Sequence, residues 1–264
     1  MDAALEEIEF LALSENRIEV LAAVSQEPLT RGELAAVTDA SQPTLSRILG
    51  DFEERNWIEQ TGNRYEATAT GRLVASGITD LWETMETERK LRDVVEWLPT
   101  DEITFDLDHL HDAEITAPTR TKPNAPAQRS AELLAADDHV RIVSHTLNEQ
   151  NLSAVHEATV DGNQRFEGVL SQEGIDAITA DPTLRRQLRD VLVAPEASVR
   201  VAADDVPLAV SITDDAVHLF VRNDDNVLQA VLVSEDQTVH DWATEIYEQY
   251  RSDATPLGVA DLSE

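Results

Sequence analysis

Two helix-start signals follow each other closely near the start of this chain, and a short hairpin pattern comes directly after them. Thr30 precedes Gly32 and Glu33 in the T-x-x-E form of a capping box, with Leu34, Ala35 and Val37 supplying an apolar side. Ser41 then stands before Pro43, a strong start for a second helix whose Leu45, Ile48, Leu49 and Phe52 recur at inward-facing spacing. Asp39 and Ala40 make the turn between them. Two strands, Trp57 to Glu59 and Arg64 to Thr68, flank the turn residues Thr61, Gly62 and Asn63. Helix, tight turn, helix and hairpin predict a winged helix-turn-helix, with the hairpin as its wing.

Ahead of this block, Leu5 to Val24 carries helical periodicity interrupted at Ser14 to Asn16, where Ser14 is placed to cap a second helix. From Thr70 the pattern is helical through Leu73, Val74, Ile78, Leu81, Met85, Leu91, Val94 and Leu98, and it stops at Pro99. The apolar stripe of this connecting helix can pack on either domain or on its copy in a second chain.

Beyond it the hydrophobic period changes. Strands are expected at Val140 to Leu147 and Arg165 to Leu170, with helices at Glu149 to Thr159 and Gly174 to Leu192. Strand candidates follow at Val199 to Ala203, Leu208 to Ile212, Val217 to Arg222 and Val227 to Val233, then an amphipathic helix from Asp236 to about Arg251 and a frayed tail after Thr255. Alternating strands and helices predict a parallel α/β arrangement. The fold class is α+β, divided as 1–72 for the winged helix, 73–98 for the connecting helix and 99–264 for an α/β domain.

Composition narrows the function. The formal net charge is -32, from 52 acidic and 20 basic residues, while apolar residues make up 42% of the chain. That apolar content can fill a core in each part, so disorder is not the reading of the acidity. Adaptation to molar intracellular salt is, because there the repulsion between carboxylates is screened within ~3 Å. Salt also shrinks the gain from counterion release, so acidity counts less against nucleic-acid binding. With no cysteine, disulfides and thiolate-ligated metals are excluded. No stretch approaches the ~20 apolar residues of a membrane span, and the N-terminus shows no secretory pattern. A cytoplasmic protein without membrane contact is expected.

Local charge stands out against that background. From Ala40 to Gly50 there is no carboxylate, and the second helix leaves Ser41, Gln42, Thr44, Ser46 and Arg47 free of the core. Arginine suits guanine, glutamine suits adenine, and serine or threonine reaches bases or phosphates. Asn63, Arg64 and Tyr65 on the wing are equally free of acid. The expected partner is double-stranded promoter DNA, bound by a homodimer matched to two half-sites. The same fold also serves protein contacts, which leaves an adaptor or architectural protein as the alternative function.

Residues 115–131 hold three prolines and no acid, and they read as a loop. Its Arg120, Lys122 and Arg129 can clamp an anionic small-molecule effector or lie as a plain interdomain loop. Ser144, His145 and Thr146 close the Val140 strand, where ligands of open α/β sheets tend to sit, and His145 and Thr146 are the effector candidates there. His109 and His111 with Asp106, Asp108 and Asp112 are the densest set of metal-ligand types, but Phe105, Leu107 and Leu110 fit a packed segment better, and no metal is expected. Arg185, Arg186 and Arg189 read as a solvated helix face. The phosphate-binding, dinucleotide-binding, metalloprotease and nucleophile-elbow motifs are all missing. No catalytic residue, cofactor or enzyme activity is expected.

The stretch LTRGELAAVTDASQPTLSRILGDFEERNWIEQTGNRYEATATGR, with LPTDEITFDLDHLHDAEIT and the later N-A-P-A-Q-R, resembles archaeal winged-helix regulators of the methanogenesis-regulator type. The acidity matches a haloarchaeal member. The resemblance covers most of the chain and implies a transcription regulator, with Ser41, Gln42, Thr44, Ser46 and Arg47 on the recognition helix and Asn63, Arg64 and Tyr65 on the wing. The second domain also looks like the phospholipase-D-like effector domains of archaeal sugar-responsive regulators. It lacks the H-x-K motif of the active enzymes.

Overall fold

The computed structural model describes residues 2–162, 164–223 and 226–262. The chain divides into two compact units, Met1–Glu86 and Thr87–Glu264.

In the first unit α1 (Asp2–Ala12) and α2 (Glu15–Gln26) meet at Ser14, as the periodicity predicts. Ser14 occupies the N-cap with extended backbone, but its side chain makes no capping bond. β1 (Leu29–Thr30) leads into α3 (Arg31–Val37), whose capping box is complete: Thr30 Oγ1 accepts from Glu33 N–H, and Glu33 accepts from Thr30 N–H at 2.7 Å. α4 (Gln42–Glu54) follows, with Ser41 as its N-cap and Pro43 in its first turn. β2 (Ile58–Thr61) and β3 (Arg64–Ala67) form the hairpin, and Gly62 adopts φ +66° in the turn.

β1 pairs with β3, which makes a three-stranded sheet of order β1-β3-β2. A two-residue strand has no periodicity to read, so the hairpin pattern shows only two of the three. Val20, Leu21, Val24, Leu34, Leu45, Ile48, Leu49 and Phe52 are buried together with Trp57 and Ile58. Burying each such side chain contributes about 1.5–3 kcal/mol. α5 (Ala69–Leu91) begins on this core through Ala75 and Ile78. The helix ends at Leu91, before the expected stop at Pro99, and Val95–Trp97 forms a separate 3-10 turn.

The second unit contains an eight-stranded sheet of order β11-β7-β6-β5-β8-β9-β10-β4. Its strands are β4 (Glu114–Thr116), β5 (His139–Ser144), β6 (Arg165–Leu170), β7 (Ala197–Val201), β8 (Val210–Ile212), β9 (Val217–Arg222), β10 (Leu228–Ser234) and β11 (Thr255–Pro256). Only β5, β6 and β7 run parallel; β8 to β10, β4 and β11 pair antiparallel. The expected parallel arrangement therefore covers the part with helical crossovers, whereas the short β8–β9 and β9–β10 connections force reversal.

Helices cover both faces. α6 (Ala125–Ala136), α7 (Glu149–His156), α8 (Gln172–Ala180) and α9 (Pro182–Val193) pack with Val140, Ile142, Phe166, Leu170 and Phe220 on one side. α10 (Gln237–Asp253) packs Val239, Trp242 and Ile246 with Val143, Val169, Leu219 and Leu232 on the other.

Two expectations in this unit are corrected. The acid-free stretch 115–131 is not one loop, since β4 takes its start and α6 begins at Ala125 with Pro126 in the first turn, a position where proline's missing N–H costs nothing. The tail after Thr255 is not frayed: Thr255 pairs with Val201, and Leu262 is buried in the core beside α9.

Candidate nucleic-acid interface

α4 turns Leu45, Ile48, Leu49 and Phe52 inward, so the helical period leaves Gln42, Pro43, Ser46 and Arg47 exposed. Thr44 is half-buried, and its hydroxyl lies 2.9 Å from Ser41 Oγ. Ser41 Oγ also accepts from Thr44 N–H at 3.4 Å. Ser41 and Thr44 thus spend hydrogen-bonding capacity on starting the helix, while Gln42, Ser46 and Arg47 carry the free polar groups. The first turn of α4 has no acidic residue, so its positive end is uncompensated.

Arg47 is exposed and pairs with no carboxylate among the described residues. Nearby Arg17 is held below its ordinary pKa, first by burial and then by the charge of Arg47, against the opposing pull of Asp51. Arg17 and Arg55 stack on the Phe10 ring, with guanidinium carbons 3.9 and 3.8 Å from its centre. Phe10 in turn meets Phe52 and Trp57 edge-on. This stack ties two cations to the core beneath the helix.

On the wing, Asn63 and Arg64 are exposed, Arg64 donating to Pro28 O at 2.5 Å and lying 3.4 Å from Glu33. Tyr65 is a correction. It was expected with its neighbours on the exposed wing but is buried, because strand alternation turns Tyr65 and Ala67 to the core and Arg64 and Glu66 to solvent. Its hydroxyl accepts from Arg31 Nη2 at 2.9 Å.

Arg31 is the residue the sequence reading missed. It opens α3, is exposed, and is brought beside the wing by the pairing of Leu29 with Tyr65 and of Thr30 with Arg64. Nothing in the local sequence signals that approach.

The residues expected around an effector are not gathered in one place. Arg120 and Lys122 are exposed on the turn closed by Thr119 and Lys122. Arg129 lies on α6, 3.5 Å from Glu114. His145 and Thr146 follow β5, and His145 alone of the five lines a cavity with Trp97, Pro99 and Arg222. Thr146 instead approaches the Gly174 carbonyl at 3.4 Å. In the His109 segment, Phe105 stacks edge-on with Trp242 at 5.2 Å, Leu110 is fully buried, and His109 lies 3.2 Å from Asp236 at the start of α10. Among the described residues no group of three or more His, Asp or Glu is arranged to hold a metal, and no helix is long and apolar enough to cross a membrane.

Comparison with known proteins bears on both units. Residues 5–90 match the model of the HVO_A0261 N-terminal domain. Residues 123–253 match that of the middle domain of the methanogenesis regulatory protein FilR1. The chain thus joins an N-terminal domain of the HVO_A0261 type to a FilR1-type middle domain. No curated protein matches it. Among solved structures, TrmBL2, an archaeal chromatin protein with a novel mode of DNA binding, is 16% identical, with 95% of this chain and 98% of that one covered at a TM-score of 0.41.

The phospholipase D family member Nuc from Salmonella typhimurium is 9% identical, over 55% of this chain and 99% of its own, at a TM-score of 0.44. NucT from Helicobacter pylori is 11% identical, over 55% and 98%, at 0.43. Likenesses this distant carry no argument about what this chain binds or catalyses.

Proposed function

We propose that the chain is a sequence-specific transcription regulator that binds promoter DNA as a homodimer and whose second unit responds to a small-molecule effector. The observation that carries the first part is the solvent face of α4, an acid-free helix start with Gln42, Ser46 and Arg47, the last without a carboxylate partner among the described residues, in a chain of net charge -32. In this reading α4 enters the major groove, and Asn63 and Arg64 approach the adjacent minor groove and backbone, with Arg31 beside them. Ser41 and Thr44 serve as a cap whose hydroxyls can also meet phosphate. Leu81, Trp82 and Met85, exposed on one side of α5, offer the apolar strip for pairing two copies.

The effector reading is supported by a FilR1 middle domain and by a cavity in the α/β unit. Its proposed members are His145 as a wall of that cavity, with Arg120, Lys122, Arg129 and Thr146 acting outside it. An effector that changes operator affinity must have its own affinity changed by the same factor. The test is genome-wide occupancy of a tagged chain, wild type against Arg47→Ala. Discrete promoter peaks lost in the variant are the expected outcome, and peaks absent from both would favour an adaptor acting through protein contacts.

A further inference from the structure

The cavity lined by Trp97, Pro99, His145, Leu208, Phe220 and Arg222 encloses about 200 Å³. Its place in the fold follows from the strand order. Chain from β5 runs outward through β6 and β7 on one side, and returns to β8 and β9 on the other, so β5 and β8 flank the point where the order switches. His145 follows the carboxyl end of β5. Arg222 ends β9, which shares the direction of β5 because both are antiparallel to β8. Residues Val206 to Ala209 enter β8 at the same end. Crevices at such switch points, outside the carboxyl ends of strands, are where open α/β sheets take ligands.

Arg222 sets the chemistry. Its Nη1 donates to Asn226 O at 3.2 Å, its Nε is buried with no hydrogen-bond partner, and no carboxylate among the described residues pairs with it. Burial pulls its pKa down. Four other arginines of this unit meet acids, Arg92 with Glu88, Arg129 with Glu114, Arg165 with Glu167 and Arg251 with Glu248, whereas Arg185 and Arg200 donate to backbone carbonyls. Arg222 is half-buried with its Nε sealed from solvent, has no acid partner among the described residues, and so offers a cation to an anion in the cavity. A buried donor without a partner is costly, and an incoming acceptor recovers that cost.

His145 is the second polar wall. Its Nδ1 lies 3.1 Å from Ser171 Oγ, which also lies 2.9 Å from the His145 carbonyl and accepts from Gly174 N–H. With the single hydroxyl proton on the carbonyl, Nδ1 carries the ring hydrogen and Nε2, 4.0 Å from Glu173, is left for another partner. Asn223 and Asn226 also line the cavity, and its other walls are apolar or aromatic. A cavity of this size has room for a small organic molecule.

We propose that this cavity binds a small organic carboxylate, its anionic end paired with Arg222 and its hydrocarbon body against Trp97, Pro99, Leu208 and Phe220. The inference deepens the effector reading and rests on it for regulatory meaning, but the binding itself does not. The experiment is calorimetric titration of the full chain, without DNA, with isovalerate and benzoate and with their neutral amides.

Both acids are expected to bind wild type, with the amides at least tenfold weaker. Arg222→Gln should weaken the acids at least tenfold, while Arg186→Gln, on the exposed face of α9, leaves them unchanged. No binding by either acid, equal binding of acids and amides to wild type, or unchanged affinity in folded Arg222→Gln would each overturn the proposal. The acid-to-amide ratio on wild type decides the matter even if the variant does not fold. Repeating the titration against DNA fragments from the host genome separates the two claims: acids that bind without shifting DNA affinity leave the site standing and remove the sensing role.

Discussion

Ser211 and His218 stand opposite each other in the β8–β9 register, with Ser211 Oγ 2.8 Å from Nδ1 of the buried imidazole. Burial, and then the charge of Arg129, pull the pKa of His218 down from 6.5 to about 4. The neutral ring is therefore favoured by the fold, and the unfolded chain binds a proton more readily between those values. The stability this supplies is complete above pH 6.5 and is lost as the pH falls toward 4, by about 3 kcal/mol in all. Denaturant midpoints at constant salt, from pH 7.5 to 4.5, should fall more steeply in wild type than in His218→Gln. Parallel pH profiles in the two proteins would remove the assignment.

Gly71 lies so close to Trp57 that a β-carbon there would sit 1.8 Å from the Trp57 carbonyl oxygen. Backbone rather than a movable side chain blocks it, so α5 must shift off the winged helix to admit one. Gly71→Ala is expected to destabilise the chain by at least the 1–3 kcal/mol typical of overpacking. The same reasoning applies to Gly174, where a β-carbon would meet the His145 carbonyl at 2.0 Å. Gly77, with open space around its position, is the control, and Gly77→Ala should match or exceed wild type. Thermal unfolding of the three variants decides this.

Arg47 and Arg64 differ in what they leave free. Arg64 already donates to Pro28 and meets Glu33, whereas Arg47 has no acidic partner among the described residues. Arg47→Ala should weaken binding to an occupied promoter about tenfold to a hundredfold and relax base preference, as loss of a base-reading arginine does. Arg64→Ala should cost less and do so uniformly across sequences, with a salt slope lower by about 1. Titrations at several salt concentrations, on matched and scrambled sites, separate the two roles.

The Thr30 and Glu33 capping box holds both orphan donors at the start of α3. Thr30→Ala should cost about 1 kcal/mol. Thr30→Ser keeps the hydroxyl and should retain most of that stability, and chemical denaturation of the pair would show whether it does.

The first unit was legible because its signals are local. Thr30 with Glu33 and Ser41 with Pro43 announce helix starts through bonds and torsions spanning three residues, and the buried set Leu45, Ile48, Leu49 and Phe52 follows from one helical period. Tyr65 went astray for an equally local reason, since alternation along β3 places it inward even though its acid-free neighbours Asn63 and Arg64 face out.

What the sequence determined by itself was where helices and strands begin and which side chains avoid water, because capping and periodicity are properties of a few consecutive residues. Only the tertiary structure decided partners distant in the chain: β1 carrying Arg31 to the wing, Thr255 pairing with Val201, and β5 and β9 ending together so that His145 and Arg222 line one cavity. Such meetings depend on strand order and on the summed burial of two sheet faces, quantities that no local window of residues contains.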